Sequence, residues 1–121
     1  MKIPQDVTLA LEKIGGIRSV YKSIPRDNRL RALSHVFQAL SDPVRLSVLY
    51  GLSAAPLCVC VIKSFVKIAD SKLSYHLGVL KSAGLIVEQS EGKFIIYKIT
   101  DLGKKLLSTC DSMGRIQRGY E

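Results

Sequence analysis

Apolar residues recur at three- and four-residue spacing through the first third of the chain, which is the pattern of amphipathic helices. The first such segment ends at Pro25 and is weakened by the pair Gly15-Gly16. It predicts an N-terminal helix that the proline closes. The second segment predicts a helix over about residues 27–40.

Three more helices are predicted in the middle of the chain. In "SDP", Asp42 or Ser41 can cap a helix whose first position is Pro43, a residue that suits the first turn because its missing N–H would have no partner there. Two short helices follow, over about residues 57–66 and 70–83, and a tight turn joins them.

Beyond residue 84 the pattern changes to that of extended strands. The segments "LIVEQ" and "FIIYKI" are rich in β-branched and aromatic residues, and they flank "SEGK", where Gly92 can take a positive φ. This pattern predicts a β-hairpin. The chain then closes with a helix that Thr100 caps and whose apolar stripe consists of Leu102, Leu106, Cys110 and Met113.

Two short helices joined by a tight turn and followed by a hairpin are typical of a winged helix-turn-helix, whose second helix enters the major groove of DNA. We therefore predict a mainly α fold with a small β-hairpin, as one domain over residues 1–121. The helix-turn-helix spans 57–83 and the wing spans 85–99. The apolar stripes of segments 1–25 and 100–117 exceed what so small a core can cover, which predicts a homodimer formed through these helices.

We call the second helix of the helix-turn-helix, over about residues 70–83, the reading helix. It has an apolar side, with Leu73, Leu77 and Leu80, and an opposite side of small and polar residues. Glycine inside a helix costs about 1 kcal/mol relative to alanine, so Gly78 indicates either close approach by another molecule or a tolerated surface glycine. We favour close approach by DNA because hydroxyl and amino donors surround it. With a lysine at the wing tip, the predicted DNA contacts are Ser71, Lys72, Ser74, Tyr75, Gly78 and Lys93.

The charge of the chain agrees with a nucleic-acid partner. Eighteen Lys and Arg residues against ten Asp and Glu residues give a net charge of +8, which favours a polyanion such as DNA or an anionic membrane surface. No apolar run has the length of a membrane span, and the first residues lack the apolar core of a secretory signal. We expect a cytoplasmic protein that makes no membrane contact.

The chain has three cysteines, an odd number that does not suggest a disulfide framework and that indicates metal-binding, redox-active or buried thiols. Cys58 and Cys60 are spaced by two, so a regular helix would point them in divergent directions. Cys110 is either a small buried hydrophobe or a third metal ligand.

The segments "LSHVFQALSDPVRLSVLYGL", "LCVC" and "DSKLSYHLGVLKSAGLIVEQSEGKFIIYKIT" resemble the ArsR/SmtB family of metal-sensing repressors over about residues 33–100. The resemblance implies a homodimer that binds double-stranded operator DNA and releases it when a metal or metalloid occupies Cys58 and Cys60. The flanks differ from the family's "ELCVCDL" motif, since Pro56 replaces glutamate and Val61-Ile62 replace Asp-Leu.

The expected inducer is As(III) or Sb(III), which takes about three thiolates, or a soft divalent ion such as Cd, Pb or Zn; no cofactor is required. Because a regular helix separates the two thiols, we expect ligand binding to distort or unwind the helix that supports the reading helix.

Two other classes of function stay open. One is a winged-helix regulator whose thiols respond by oxidation, or have no sensing role. The other is an enzyme or metal carrier. The chain shows no Ser/His/Asp or Cys/His pairing, glycine-rich phosphate loop or carboxylate pair, so we predict that it is not an enzyme.

Overall fold

The computed structural model describes residues 2–116, which form seven helices and three strands. The chain divides into two compact units, one ending at Leu33 and the other beginning at Ser34. The elements are α1 (Gln5–Ile14), α2 (Ile17–Ser23), α3 (Asp27–Leu40), α4 (Pro43–Ala54), β1 (Leu57–Cys58), α5 (Val59–Phe65), α6 (Asp70–Ser82), β2 (Ile86–Glu91), β3 (Phe94–Ile99) and α7 (Asp101–Ile116).

The segment before Pro25 contains two helices where the pattern predicted one. Gly15 and Gly16 both have a positive φ, +98° and +92°, which ends α1 and begins α2 because this backbone region cannot continue a right-handed helix. The Ser19 hydroxyl donates to the carbonyl of Ile14 across the break (2.6 Å). Neither α1 nor α2 buries a residue.

The second unit has its core between α4, α5, α6 and the strands. Predicted inner residues of the reading helix are buried as expected: Leu73, Leu77 and Leu80 are at most 4% exposed. Burying an aliphatic side chain of this size stabilises a fold by about 1.5–3 kcal/mol. The other buried aliphatic residues of the core are Ala39, Val48, Leu49, Leu52, Ile62, Val66, Ala83, Leu85, Ile86 and Leu107.

The start of α4 confirms the predicted cap. Asp42 Oδ1 accepts hydrogen bonds from the backbone N–H groups of Val44 (2.8 Å) and Arg45 (3.2 Å), and Pro43 follows at the first helical position. Burial raises the pKa of the Asp42 carboxyl, the two backbone hydrogen bonds lower it, and the net result is a lowered pKa. The charged form of Asp42 therefore stabilises this helix end.

The helix predicted over residues 57–66 is wrong at its start. Leu57 and Cys58 instead form the short strand β1, which pairs antiparallel with β3 in the register Leu57↔Tyr97 and Cys58↔Ile96. Helix α5 begins only at Val59. The sheet consequently has three strands in the order β1-β3-β2 rather than the two of a hairpin.

The turn of the wing is tighter than predicted. Strands β2 and β3 pair from Ile86↔Ile99 to Glu91↔Phe94, so that only Gly92 (φ +58°) and Lys93 remain in the turn. A two-residue hairpin turn needs positive φ values, which glycine adopts at low cost.

Thr100 joins the wing to α7 and caps that helix as predicted. Its Oγ1 accepts from the N–H of Gly103 (3.2 Å) and donates to the carbonyl of Gly84 (2.7 Å). The C-terminal helix is described to Ile116, and residue 117 of the predicted segment lies outside the described residues. Among the helices described, none has the length and apolar character of a membrane span.

Candidate nucleic-acid interface and thiol pair

Helix α6 presents five of the predicted DNA contacts on its exposed side. Ser71, Lys72, Ser74, Tyr75 and Gly78 are all exposed, and Tyr75 is 65% exposed. The sixth predicted contact is the lysine of the wing turn, which is also exposed. These side chains are free to meet a ligand outside the chain.

Gly78 has no reason within the described chain to be glycine. A Cβ built on it meets no atom within 4 Å, and its φ is not positive. By contrast, a Cβ on Gly103 would lie 2.6 Å from the carbonyl oxygen of Leu85, and one on Gly51 would lie 2.6 Å from the ring of Phe65. Packing accounts for those two glycines and leaves Gly78 without an internal explanation.

Ion pairs occupy some of the basic side chains near this surface. Lys63 pairs with Asp70 (2.5 Å) across the turn between α5 and α6, and Lys81 pairs with Glu88 of the wing. The side-chain hydrogen bond between Lys81 and Glu88 raises the pKa of the lysine and lowers that of the glutamate.

Lys72 and Lys93, the two lysines predicted to contact phosphate, belong to neither of those ion pairs. Neither forms an ion pair with any residue that the structure describes. Their charges can therefore meet phosphate without first breaking a described contact.

Arg45 ties the reading helix to its neighbours, a role that the sequence did not indicate. Its Nε donates to the carbonyl of Ala39 (2.7 Å) and its Nη2 to that of Gln38 (2.9 Å), while Nη1 lies 3.0 Å from His76 Nδ1 on α6. Since a guanidinium only donates, His76 Nδ1 is the acceptor and carries no proton in this arrangement. The sequence "SDPVR" shows that Arg45 follows a helix cap. It does not show which groups Arg45 contacts, because these are brought to it by the folding of the chain.

A second contact joins the end of α3 to the outer side of the reading helix. His35 Nε2 and Ser82 Oγ lie 3.2 Å apart. Both residues line a mostly apolar groove of about 320 Å³, together with Tyr75 and Gly78. The C-terminal part of α3 therefore borders the exposed side of α6, where the predicted DNA contacts lie.

The two closely spaced cysteines lie at the junction of a strand and a helix. Cys58 is the last residue of β1 and precedes α5 with extended backbone (φ −83°, ψ 163°), while Cys60 is in the first turn of α5. Their Cα atoms are 5.4 Å apart and their sulfurs are joined as a disulfide. The expectation that the helix keeps them apart is wrong, because only one of them is helical.

The third cysteine is separate from this pair. Cys110 is a free, half-buried thiol on α7, on the stripe with Leu102 and Met113, which are 42% and 52% exposed. Within residues 2–116, no group of three or more His, Cys, Asp or Glu side chains is arranged to hold a metal ion. The structure thus brings together two of the three thiols considered from the sequence.

A hydrogen bond beside Cys110 joins α7 to α4. The hydroxyl of Tyr50 donates to Asp111 Oδ1 (2.7 Å). This bond to the carboxylate is the main reason that the pKa of Tyr50 is raised to about 12, with smaller contributions from burial and the negative charge of Asp111.

Comparison with known proteins agrees with this architecture. Residues 42–87 match the family model described as "Bacterial regulatory protein, arsR family". The arsenical resistance operon repressor of Bacillus subtilis is 37% identical over 73 residues, which are 60% of this chain and 70% of that protein. A homologue of the cadmium resistance regulator CadC from Staphylococcus aureus is 36% identical over 70 residues, 57% of this chain but only 58% of that protein.

A solved structure supports the fold. The homodimeric winged helix-turn-helix DNA-binding domain from Mycobacterium bovis superposes with a TM-score of 0.70 at 23% identity, covering 80% of this chain and 94% of that one. At this identity the likeness shows the fold alone, and it confirms the predicted winged helix-turn-helix. The family assignment comes from the sequence matches: the family model over residues 42–87 and the 37% identity to the B. subtilis repressor show that this chain belongs to the ArsR family of bacterial regulatory proteins.

Proposed function

We propose that this protein is a homodimeric transcriptional repressor that binds operator DNA and releases it when a soft metal or metalloid, foremost As(III) or Sb(III), binds Cys58 and Cys60. The observation that carries the proposal is the closeness of the Cys58 and Cys60 sulfurs, which are near enough to form a bond, at the start of the first helix of the helix-turn-helix. Proteins of this family are transcriptional regulators and not enzymes, in agreement with the prediction from sequence. A protein that acts on DNA would work in the cytoplasm.

DNA binding is supported by the exposed side of α6. The polar side chains of Ser71, Ser74 and Tyr75 offer hydrogen bonds to base edges and phosphates, and Lys72 and Lys93 offer charge. Phosphate contacts of this kind make affinity fall with salt, whereas base contacts confer sequence preference. We therefore assign positioning to the two lysines and readout to the hydroxyl groups.

The homodimer is supported by apolar surface on α1, α2 and α7. Val7, Leu9, Ile14 and Tyr21 are between 43% and 63% exposed, although helices with this pattern normally cover such residues. A second copy is the occupant that we propose for these faces, as in the homodimeric neighbour. Sedimentation at micromolar concentration should give a species of twice 13.3 kDa; a species of 13 kDa alone would exclude the dimer.

The donor set of the thiol pair fits a soft ion. Two cysteines close enough to share a bond are close enough to share one metal or metalloid, and thiolates favour As(III), Sb(III), Cd, Pb and Zn over hard ions. With arsenous acid, two S–H and two As–OH bonds would break, two As–S bonds would form, and two waters would leave without change of oxidation state. A third ligand could be Cys110 only after rearrangement, or water.

A second candidate function is a repressor that senses oxidants through the same residues. The disulfide between Cys58 and Cys60 favours this candidate. Hydrogen peroxide would take two electrons from the two thiols, one S–S bond would form, and the protons would leave in two waters. Release of DNA by peroxide in the absence of any metal would favour this function over the first.

The deciding experiment is a mobility-shift assay with the DNA upstream of the protein's own gene. Arsenite, antimonite, Cd, Pb, Zn or peroxide is added to the wild-type protein and to Cys58→Ser and Cys60→Ser. We expect both variants to bind the DNA as the wild type does and to be insensitive to the effector that releases the wild type.

Cys110→Ser is the matched control for these variants. A thiol that only packs would leave the response intact and lower stability by about 1 kcal/mol, whereas a third ligand would lower the affinity for the inducer. If Cys58→Ser and Cys60→Ser bind DNA and still respond normally to every effector, the sensing site is wrong.

A further inference from the structure

Cys58 is connected by backbone hydrogen bonds to the wing. Strand β1, which ends at Cys58, pairs with β3, and Cys58 lies directly opposite Ile96. Strand β3 is in turn half of the hairpin whose tip carries Lys93. One side of the thiol pair is therefore part of the sheet that forms the wing, a connection that the helix-turn-helix motif alone does not require.

The burial of the neighbouring residues indicates which face of the sheet the Cys58 side chain lies on. Leu57 packs against the core and its partner Tyr97 is only 9% exposed. Because successive side chains of a strand point to opposite faces, Cys58 and Ile96 lie on the outer face. On that face Ile96 is also opposite Gln89 of β2. A movement of Cys58 is therefore passed directly to the middle of the wing, at Ile96.

The other side of the pair is the first turn of α5. Cys60 is there, and α5 is joined to the reading helix by a short turn and by the ion pair of Lys63 with Asp70. The three-residue segment from Cys58 to Cys60 is thus the joint between the wing sheet and the helix-turn-helix. Holding both sulfurs on one ion removes the torsional freedom of this joint and sets the direction in which β1 leaves α5.

We propose that the thiol pair controls DNA binding through the wing: when one ion bridges Cys58 and Cys60, β1 carries β3 with it and withdraws Lys93 from the DNA, while α6 keeps its own contacts. The proposal rests on the sensing function above and specifies its route. The Lys93 Cα is three residues from Ile96, about 10 Å along the strand, so a rotation of about 20° at the joint moves the tip by about 3.5 Å, which is more than a hydrogen-bond length.

The test is a thermodynamic cycle with two matched lysine variants. Operator affinity is measured for the reduced protein and for the arsenite-bridged protein, and their ratio is compared in wild type, Lys93→Ala and Lys72→Ala. Low salt keeps the weaker complexes measurable. If bridging removes the Lys93 contact, Lys93→Ala weakens only the reduced state. The arsenite ratio then falls by the same factor by which the variant weakens reduced binding.

Lys72→Ala should weaken both states equally and leave the ratio unchanged, because α6 keeps its contacts. A ratio that falls in Lys72→Ala and not in Lys93→Ala, or that changes in neither variant, would overturn the wing route while the sensing function stands. A wild-type ratio of one, with intact operator binding, would instead refute arsenite sensing and the wing route with it.

Hydrogen exchange provides a second measurement without DNA. Arsenite should change the protection of amides in β3, residues 94–99, of which Ile96 and Tyr97 pair with β1, more than that of amides in residues 70–82. Cys58→Ser, which cannot chelate, should show neither change. A change confined to residues 70–82 would contradict the proposed route.

Discussion

Replacing Gly78 with alanine should raise the stability of the protein and at the same time weaken its binding to DNA. Gly78 is in the interior of α6 (Asp70–Ser82), and its φ is not positive. Alanine is favoured over glycine in such a position by about 0.5–1 kcal/mol. The new methyl group meets no atom of the described chain within 4 Å, so nothing within these residues offsets the gain.

The effect on DNA binding has the opposite sign if the duplex lies against this part of α6. A methyl group forced into a close-packed contact costs about 1–3 kcal/mol, which corresponds to about 5- to 150-fold in Kd. Since the variant is expected to be the more stable protein, misfolding could not account for its weaker binding.

Two measurements are needed on the same preparation. Urea unfolding followed by circular dichroism should give a higher midpoint, and a thermal scan should give a Tm raised by about 4 °C per kcal/mol for a chain of this size. Fluorescence anisotropy with labelled operator at constant salt should give the raised Kd. Gly103→Ala is the control for the steric argument, because its Cβ would lie 2.6 Å from the Leu85 carbonyl oxygen, and it should lose stability.

A Gly78→Ala protein that is more stable and binds operator with unchanged Kd would refute the close approach. The glycine would then be a tolerated surface residue, which is the alternative that the sequence left open. A loss of stability would instead contradict the open space around this position.

Three further predictions concern other contacts. Lys72→Ala should reduce the slope of log Kd against log salt by about one unit if it neutralises one phosphate, and an unchanged slope in mobility-shift assays over a range of salt would exclude that contact. Arg45→Lys should lower the free energy of unfolding, measured by urea denaturation, by about 2 kcal/mol, because an ammonium group cannot reproduce the three directed hydrogen bonds of the guanidinium. A loss smaller than about 0.3 kcal/mol would contradict the importance of these bonds. The pKa of Tyr50 is raised from its ordinary value of 10.0 to about 12, which stabilises the folded state fully below pH 10 and less as the pH rises through 12. Wild-type stability should therefore fall more steeply than that of Tyr50→Phe across this interval, and parallel curves would refute the assignment.

Local pattern was sufficient for much of the fold. The helix predicted over residues 27–40 is found as Asp27–Leu40, and the cap by Asp42 followed by Pro43 is found as predicted. These features depend on side-chain spacing and on hydrogen bonds within a few residues, which the order of the amino acids specifies directly. The same holds for the apolar side of the reading helix and for the turn at Gly92.

Tertiary structure decided the elements whose partners are distant in the chain. Leu57 and Cys58 have the apolar character of a helix start, yet they form a strand because Tyr97 and Ile96 provide backbone partners. The break at Gly15 is an intermediate case: the pattern showed the weakness, but only the backbone angles showed that it separates two helices.

For the candidate site, the amino-acid order by itself identified the candidate residues: two closely spaced cysteines, a polar helix face and a glycine inside a helix. It could not determine their geometry. The two sulfurs meet because Cys58 belongs to a strand and Cys60 to a helix, and Arg45 reaches His76 because α4 and α6 pack together. Such contacts depend on how distant segments are brought together by the burial of the core, and a local pattern contains no information about that arrangement.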